Sequence, residues 1–274
     1  MRQAMFRSFA VAVILASCLT ATGWAQSSST DAAATSTSAQ SVAKGAAKTK
    51  RAEGGSCQIG VIPIAGNLFH VEKIGPIKLT DTYEQASVDR WALDELVVSR
   101  VRAAAPGMSV RRIPFTKEEL RNEPRQKSTS LFRSAANSVK EFAQYLAPRV
   151  HCERYVVIHR HGGSQREFGI GISKHYLASH ANLFAMMYIR VYDGRTFQLI
   201  NEAPALMEED TYLNRFKYHL GGPSRPVDLA MFPEKAADAA ANPVLRDGVR
   251  EMLTISLDKT LPGVLRRQSG EAAR

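Results

Sequence analysis

The sequence predicts an α/β protein with a single mixed β-sheet of about five to six strands and helices packed on it in two or three layers. Three observations support this class. Short apolar runs alternate along the chain with stretches whose apolar residues recur at helical spacing. An Asp-Gly turn joins two of the later runs. Hydrophobic residues make up 45% of the 274 residues, which is enough for a core.

The first half of the chain predicts alternating strands and helices. Gly60 and Pro63 interrupt the apolar run IGVIPI, which favours a buried strand over a helix. Thr116 and Glu119 have the spacing of a capping box, which predicts that a short helix begins there. The expected elements are a strand at 59–64, an edge strand at 70–74, a helix of about 17 residues ending before Pro106, a strand at 109–115 and two helices before Pro148.

The second half predicts neighbouring strands followed by one helix. Residues 155–159 (YVVIH) are apolar enough for a strand that is buried on both faces. Asp193-Gly194 is a strong hairpin signal. Asn242 followed by Pro243 marks the start of a helix. The expected elements are strands at 155–159, 168–173, 183–192 and 196–201, and a helix at 242–257.

The N-terminal segment has the pattern of an export signal. Arg2 and Arg7 both lie before the apolar stretch 8–19. Small residues before Gln26 fit a signal-peptidase site. The residues that follow are rich in Ser, Thr and Ala and lack aromatic side chains, which predicts a disordered low-complexity linker. The expected organisation is a signal peptide at 1–25, a linker at 26–55, a single α/β domain at 56–262 and a polar tail at 263–274, in a periplasmic or secreted protein.

Cys18 leaves a second outcome open. The sequence LASC that ends at Cys18 fits a lipobox, in which the cysteine is lipidated and becomes the first residue of a lipid-anchored protein. The apolar character continues past Cys18 as far as Trp24, which favours simple cleavage. We expect intact-mass measurement to show a mature, soluble chain that begins at Gln26. A diacylglyceryl mass on Cys18 would establish the lipid-anchored form instead.

The chain is basic, with a net charge of +10 at pH 7, and loss of Arg2 and Arg7 with the signal would leave +8. The basic residues are scattered and form no stripe with interleaved aromatic residues, so the pattern disfavours nucleic-acid binding. An excess of positive charge favours attraction to anionic surfaces. The expected partner is an envelope protein or an anionic surface. We expect no cofactor and no transmembrane helix in the mature chain.

The order of the elements resembles that of a group of exported envelope domains. Residues 57–260 contain, in order, IGVIPI, WALDELVVSRVRAAAPGMSVRRIPF, ERYVVIHRHGG and MMYIRVYDGRTFQLI. In this order they resemble the curli assembly lipoprotein, the periplasmic activators of penicillin-binding proteins and the N-terminal domain of the Tol translocation protein. Residues 192–196 (YDGRT) are similar to the D-x-x-T-G hairpin of those proteins, with Phe197 in place of the glycine. The resemblance implies a binding or assembly role in the envelope and carries over no catalytic residue.

Arg160-His161-Gly162 is the sharpest catalytic candidate. A strand that ends in Arg-His-Gly resembles the histidine phosphatases, in which the histidine takes the phosphoryl group and arginines hold its oxygens. That family places the motif on its first strand and adds a second histidine followed by an acidic residue. Here the motif follows a later strand, and none of the seven histidines precedes Asp or Glu. A phosphohydrolase that uses Arg160 and His161 is therefore the first alternative.

His159, His161 and His175 form the metal-binding candidate. His159 and His161 lie two residues apart on a predicted strand and would face the same side. His175 follows on the adjacent hairpin, and two strand histidines with a third from a neighbour can hold zinc. Glu167 is the one carboxylate between Arg154 and Arg190, so carboxylate ligands are scarce. A metal-binding protein is the second alternative.

Cys57 and Cys152 are the two of the three cysteines that remain after loss of the predicted signal, and an even pair in an exported chain is first interpreted as a disulfide. Two buried free thiols are the alternative. Each cysteine lies just before one of the strands at 59–64 and 155–159, which are expected to be parallel neighbours. The leading ends of these strands would then lie about 5 Å apart, within reach of a disulfide. Taken together, the patterns favour an exported, non-enzymatic binding or assembly protein of the cell envelope over both alternatives.

Overall fold

The computed structural model describes residues 56–121, 135–160, 169–209, 213 and 223–266. The predicted signal and linker lie outside these ranges, as do Cys18 and His161. The strands are β1 (Cys57–Ile64), β2 (Leu68–Ile74), β3 (Thr82–Ser87), β4 (Val110–Arg112), β5 (Cys152–Arg160), β6 (Ile170–His175), β7 (His180–Ala185), β8 (Met187–Asp193), β9 (Leu199–Pro204) and β10 (Ser224–Asp228). The helices are α1 (Leu93–Ala104), α2 (Lys117–Arg121), α3 (Ala135–Leu146), α4 (Ala236–Ala241) and α5 (Pro243–Arg266), with one-turn 3-10 helices at Lys78–Thr80, Asp89–Trp91, Ala147–Arg149 and Leu229–Met231.

Within these ranges the strands form two mixed sheets of five strands each. The first sheet has the order β4-β1-β5-β8-β9, and the second has the order β10-β7-β6-β2-β3. β1 is parallel to both β4 and β5, and β2 is parallel to β6. The other neighbouring strands are antiparallel.

The three central strands of the first sheet are continued by the three central strands of the second. β2 follows β1 after residues 65–67, and β8 follows β7 after the single residue Met186. β5 and β6 are also consecutive along the chain and occupy the middle of each sheet. Gly66, between β1 and β2, has a φ of 97°, a left-handed conformation that favours glycine. The central strands of the two sheets are therefore consecutive pairs along the chain.

The α/β class is confirmed, but two sheets stand where we expected one. The expected edge strand at 70–74 is instead central in the second sheet, between β3 and β6. β3 and β10 were missed by the sequence pattern. Most of β3 is exposed, and β10 alternates exposed and half-buried residues, so neither contains the apolar run by which a buried strand is recognised.

Helices cover both faces of the first sheet. α1 and α5 pack on the face that carries Val156 and Ile158 of β5, where they form the main core. α3 packs on the opposite face against Tyr155 and Val157. Alternate residues of one strand point to opposite faces of a sheet, so this burial on both sides confirms the prediction made from YVVIH.

The last helix extends beyond the boundary that we expected at residue 262. α5 continues to Arg266 and buries Leu261 and Val264 against the core, although Pro262 lies inside it. Proline removes one backbone hydrogen bond from a helix, and the burial of its neighbours offsets that loss. The predicted cap at Asn242 is confirmed, because its Oδ1 accepts from the Val244 N–H at 2.9 Å. Among the described residues, no helix combines the length and the apolar character needed to cross a bilayer.

The predicted disulfide is present. Cys57 and Cys152 are bonded, with their Cα atoms 4.5 Å apart. They are direct partners in the parallel ladder between β1 and β5. The adjacency of these two strands, from which we predicted the bridge, is therefore confirmed.

The Asp193-Gly194 turn joins β8 to β9 as expected. Asp193 Oδ1 accepts hydrogen bonds from the Thr196 N–H at 2.7 Å and the Arg195 N–H at 3.0 Å, and these bonds lower the pKa of Asp193. Phe197 has a φ of 54°, so it adopts the left-handed conformation at the position where the resembling hairpins have glycine. Its ring stacks on Tyr155 with centroids 5.5 Å apart, which offsets the backbone strain.

Candidate functional site

Arg160, the described member of the predicted catalytic pair, is packed between the two sheets. Its stem lies against Gly66 and Gly169, where added Cβ atoms would come within 2.9 Å and 2.6 Å of the Arg160 Cδ. Its Nη1 lies 3.5 Å from His70 Nε2, and because an arginine can only donate, that ring nitrogen is the acceptor. The side chain of Arg160 is thus engaged in packing at the junction of the sheets. The position of His161 lies outside the described residues.

His70 and Tyr83 extend this contact into the second sheet. His70 is 1% exposed, and its Nδ1 is hydrogen-bonded to the Tyr83 hydroxyl. The same hydroxyl accepts from Gln85 Nε2 at 2.8 Å. Arg160 and Tyr83 thus contact opposite nitrogens of the His70 ring. This polar chain ties the end of β5 to β2 and β3.

The structure places the described metal candidates in different sheets. His159 lies in β5 opposite Ile64, and its Nδ1 is 2.7 Å from the Arg160 carbonyl oxygen. His175 ends β6 opposite Ile74, at the far end of the second sheet. Within the described part of the chain, no group of three or more His, Cys, Asp or Glu residues has the arrangement of a metal site. His159 and His175 are therefore not brought together.

A cavity of about 240 Å³ lies at the carboxyl edge of the parallel part of the first sheet. It is bounded by the end of β1, the start of α1 and the segment after β4, with Ile64, Leu93 and Phe115 among its apolar walls. The carboxyl ends of parallel strands and the starts of the following helices meet at such an edge, where α/β sheets commonly bind ligands. We call it the edge cavity.

Four charged side chains line the edge cavity: Asp89, Asp94, Glu95 and Lys117. Arg112, which is not part of the lining, is paired with two of them: its nitrogens lie 3.2 Å from an Asp94 oxygen and 2.5 Å from a Glu95 oxygen. Lys117 is paired with Asp89, and its hydrogen bond lowers the pKa of that carboxyl. Burial raises the pKa of Asp94 to about 6. Apolar walls lie beside carboxylates whose charge is partly balanced by Arg112 and Lys117. Such a cavity suits a small ligand with an apolar body and a cationic or hydrogen-bond-donating end.

We expect Asp94 to make the fold less stable as the pH rises from 3.8 to about 6, the range between its ordinary and its raised pKa. The folded chain holds this proton more tightly than the unfolded chain does, so protonation of Asp94 stabilises the fold at low pH and this contribution is lost on deprotonation. Asp94→Asn is expected to increase the free energy of unfolding at pH 7 and to flatten this part of the profile. Urea unfolding across this pH range measures both effects. A variant that keeps the wild-type pH dependence would contradict the assignment to Asp94.

A second surface lies at the end of the second sheet. Ile77 and Leu79 follow β2 and are 59% and 92% exposed. Tyr176 and Leu177 follow β6 and are 60% and 80% exposed. Scattered single apolar residues are normal on a protein surface, whereas a contiguous apolar patch marks an interaction site. We call these four residues the apolar tip.

The pairing of the strands brings the two halves of the apolar tip together. Ile74, the last residue of β2, is the ladder partner of His175, the last residue of β6. The Tyr176 N–H also donates to the Ile74 carbonyl oxygen at 2.9 Å. Both connections therefore leave the sheet side by side, at the ends of β2 and β6 that lie away from the first sheet.

Both surfaces were missed in the sequence. Asp94 and Arg112 belong to separate elements, and nothing in a list of charged residues pairs them. The sequence did contain one indication of the apolar tip. Ile77, Leu79 and Leu177 are large apolar residues in segments that lie between predicted elements. Loops that carry large aliphatic side chains are exceptions to the polar composition of turns.

Comparisons with known proteins add no functional assignment. No family model and no curated protein match this sequence. Among solved structures, the chain is similar to protein XCC0632 from Xanthomonas campestris, described under the family model DUF330, with 12% identity, a TM-score of 0.32 and coverage of 74% of this chain and 85% of that one. It is also similar to the hypothetical protein CT253 from Chlamydia trachomatis, with 9% identity, a TM-score of 0.33 and coverage of 76% and 99%. At these TM-scores we base no argument on the likeness, and the resemblance to exported envelope domains stays a prediction.

Proposed function

We propose that this chain is an exported, non-enzymatic binding or assembly protein of the cell envelope and that it docks through the apolar tip. The observation that carries the proposal is the exposure of four large apolar side chains on two adjacent connections of the second sheet. The export pattern that ends before Gln26 supplies the compartment. Exposed apolar side chains gain stability when a partner removes them from water, so the tip is suited to binding.

The placement of Arg160 favours binding over phosphoryl transfer. An arginine that clamps a phosphoryl group needs its guanidinium directed at an open site. Here the stem of Arg160 is packed against two glycines and its Nη1 faces the buried His70. The disulfide between Cys57 and Cys152 leaves no pair of free thiols for redox chemistry among the described cysteines.

Co-sedimentation with isolated cell envelopes tests the proposed docking. The chain that begins at Gln26 is expected to sediment with envelopes. Leu177→Asp is expected to weaken this binding by about tenfold or more, because a leucine that docking would bury is replaced by a charge. Ile255→Asp is the matched control, since Ile255 is a 41% exposed aliphatic residue on α5. Equal binding by both variants would contradict docking through the tip.

Hydrolysis of p-nitrophenyl phosphate tests the enzymatic alternative. As a binding protein, the purified chain is expected to show no turnover, and His161→Ala is expected to leave both the fold and this absence of activity unchanged. Robust hydrolysis that disappears in His161→Ala would overturn the non-enzymatic assignment. Thermal unfolding followed by circular dichroism controls for the integrity of the variant.

A further inference from the structure

We propose that the apolar tip docks on the anionic surface of a lipid bilayer, with its aliphatic side chains entering the interface and nearby lysines facing the headgroups. This inference rests on the proposed function, because it names the partner of the same surface. Leu79 and Leu177 are the most exposed residues of the tip and would enter the membrane. Tyr176 combines an apolar ring with a polar hydroxyl, the composition that suits the level of the headgroups.

The loop that carries Ile77 and Leu79 is held in shape by its own hydrogen bonds. The Gly75 N–H donates to Asp81 Oδ1 at 3.0 Å, which closes the base of the loop. The Thr80 N–H and hydroxyl both donate to the Ile77 carbonyl oxygen, at 2.9 Å and 2.8 Å. Because these bonds exist in the free protein, docking needs little further ordering of the loop. The exposure of the aliphatic side chains is thus built into the loop geometry.

Two lysines lie side by side behind the tip. Lys73 of β2 and Lys174 of β6 are direct ladder partners, so they project from the same face of the second sheet. Lys174 Nζ lies 4.6 Å from the centre of the Phe232 ring. Like charges that are directly opposite each other repel, and an anionic surface would relieve this repulsion.

Two carboxylates near the tip, those of Asp81 and Asp228, accept hydrogen bonds from backbone N–H groups. Asp81 is engaged with the Gly75 N–H at the base of the loop. Asp228, next to His180 in the ladder of β10 and β7, accepts from the Ala230 N–H at 2.8 Å. Without Arg2 and Arg7 of the predicted signal the chain has a net charge of +8 at pH 7, which adds long-range attraction to an anionic membrane.

The form of the tip favours a bilayer over a protein partner. Specific protein interfaces have a large, well-packed core with complementary shape. The tip instead carries its aliphatic residues on two short connections, a loop and a turn, with charged residues directly behind them. A lipid interface accepts such protrusions without matching their shape, and its binding strength scales with buried apolar area and with attraction between basic residues and anionic lipids.

Vesicle binding tests the inference. The chain that begins at Gln26 is incubated with vesicles of equal parts phosphatidylglycerol and phosphatidylcholine, or of phosphatidylcholine alone, and the bound fraction is measured by sedimentation. Binding is expected to be much stronger to the anionic vesicles. The double variant Leu79→Asp, Leu177→Asp is expected to lose at least about tenfold in affinity, whereas Ile255→Asp keeps the wild-type value. Lys73→Gln is expected to lose about fivefold on the anionic vesicles, with Lys140→Gln on α3 as the control of equal charge.

A tryptophan reporter measures insertion without adding charge. Trp91 is 2% exposed, and Trp24 leaves with the predicted signal, so a new tryptophan on the surface is readily followed. The emission of Leu177→Trp is expected to shift to shorter wavelength when anionic vesicles are added. The emission of Ile255→Trp is expected to stay unchanged.

The outcomes separate this inference from the proposed function. Envelope binding that depends on Leu177, together with no vesicle binding and no shift in Leu177→Trp, would overturn the lipid assignment and point to a protein partner. A self-association that the double tip variant abolishes, again without vesicle binding, would assign the tip to a second copy of the chain. Failure to bind both envelopes and vesicles would overturn the two proposals together.

Discussion

Loss of the Cys57–Cys152 disulfide is expected to destabilise the protein by about 4–5 kcal/mol, because the bridge closes a loop with a sequence separation of 95 residues. Closing a long loop removes conformational freedom from the unfolded chain, and the folded chain already holds the two residues as ladder partners. For a domain of this size the melting temperature is expected to fall by about 10–15 °C. Thermal unfolding of the wild-type chain with and without reductant measures the effect.

The double variant Cys57→Ala, Cys152→Ala is the control for this experiment. It is expected to have the low melting temperature of the reduced wild-type chain and to be insensitive to reductant. If reduction, confirmed by alkylation of both thiols, leaves the wild-type melting temperature unchanged, the bridge does not stabilise the fold. Both chains must be compared at the same pH, because Asp94 makes stability depend on pH.

Gly194→Ala is expected to destabilise the protein by about 3 kcal/mol, through a clash with the backbone of β5. The Gly194 N–H donates to the Glu153 carbonyl oxygen at 2.8 Å, and a Cβ atom at Gly194 would lie 2.7 Å from that same oxygen and against the carbonyl oxygen of Cys152. Strand carbonyls cannot rotate away as a flexible side chain can. The turn must therefore move away from β5, and chemical denaturation measures the loss.

Gly263→Ala is the matched control. Gly263 lies in α5, and no atom would come within 4 Å of a Cβ added there. Because alanine is a better helix former than glycine, this variant is expected to be as stable as the wild type or more stable by about 0.5–1 kcal/mol. Equal stabilities of Gly194→Ala and Gly263→Ala would show that the turn adapts without loss.

Features set by local chemistry were predicted well. Thr116 and Glu119 form the expected capping box, with the Thr116 N–H donating to Glu119 Oε2 at 2.7 Å and the Glu119 N–H donating to Thr116 Oγ1 at 3.2 Å. The turn at Asp193 and the cap at Asn242 are likewise confirmed. Each depends on residues at most three positions apart, so the sequence contains all that is needed.

Boundaries and exposed strands were predicted less well. The helix of about 17 residues that we expected before Pro106 has 12 residues and begins at Leu93, because a 3-10 turn and Ala92, with a φ of 50°, come first. β3 is a strand because its backbone pairs with β2, although its side chains show no apolar pattern. Backbone pairing leaves no mark on composition when both faces of a strand are exposed.

On its own, the amino-acid sequence specified the α/β class and the turns, because apolar runs and short-range hydrogen bonds depend on neighbouring residues. It also predicted the disulfide, from the pair of cysteines and from the expected adjacency of the two strands that follow them. Strand pairing decided the rest. It divided the sheet in two, and it placed Arg160 against His70, 90 positions away. It also set the connection after Ile74 beside the turn after His175, which created the apolar tip. These contacts join residues far apart in the chain, and no periodicity in the sequence encodes which strands become neighbours.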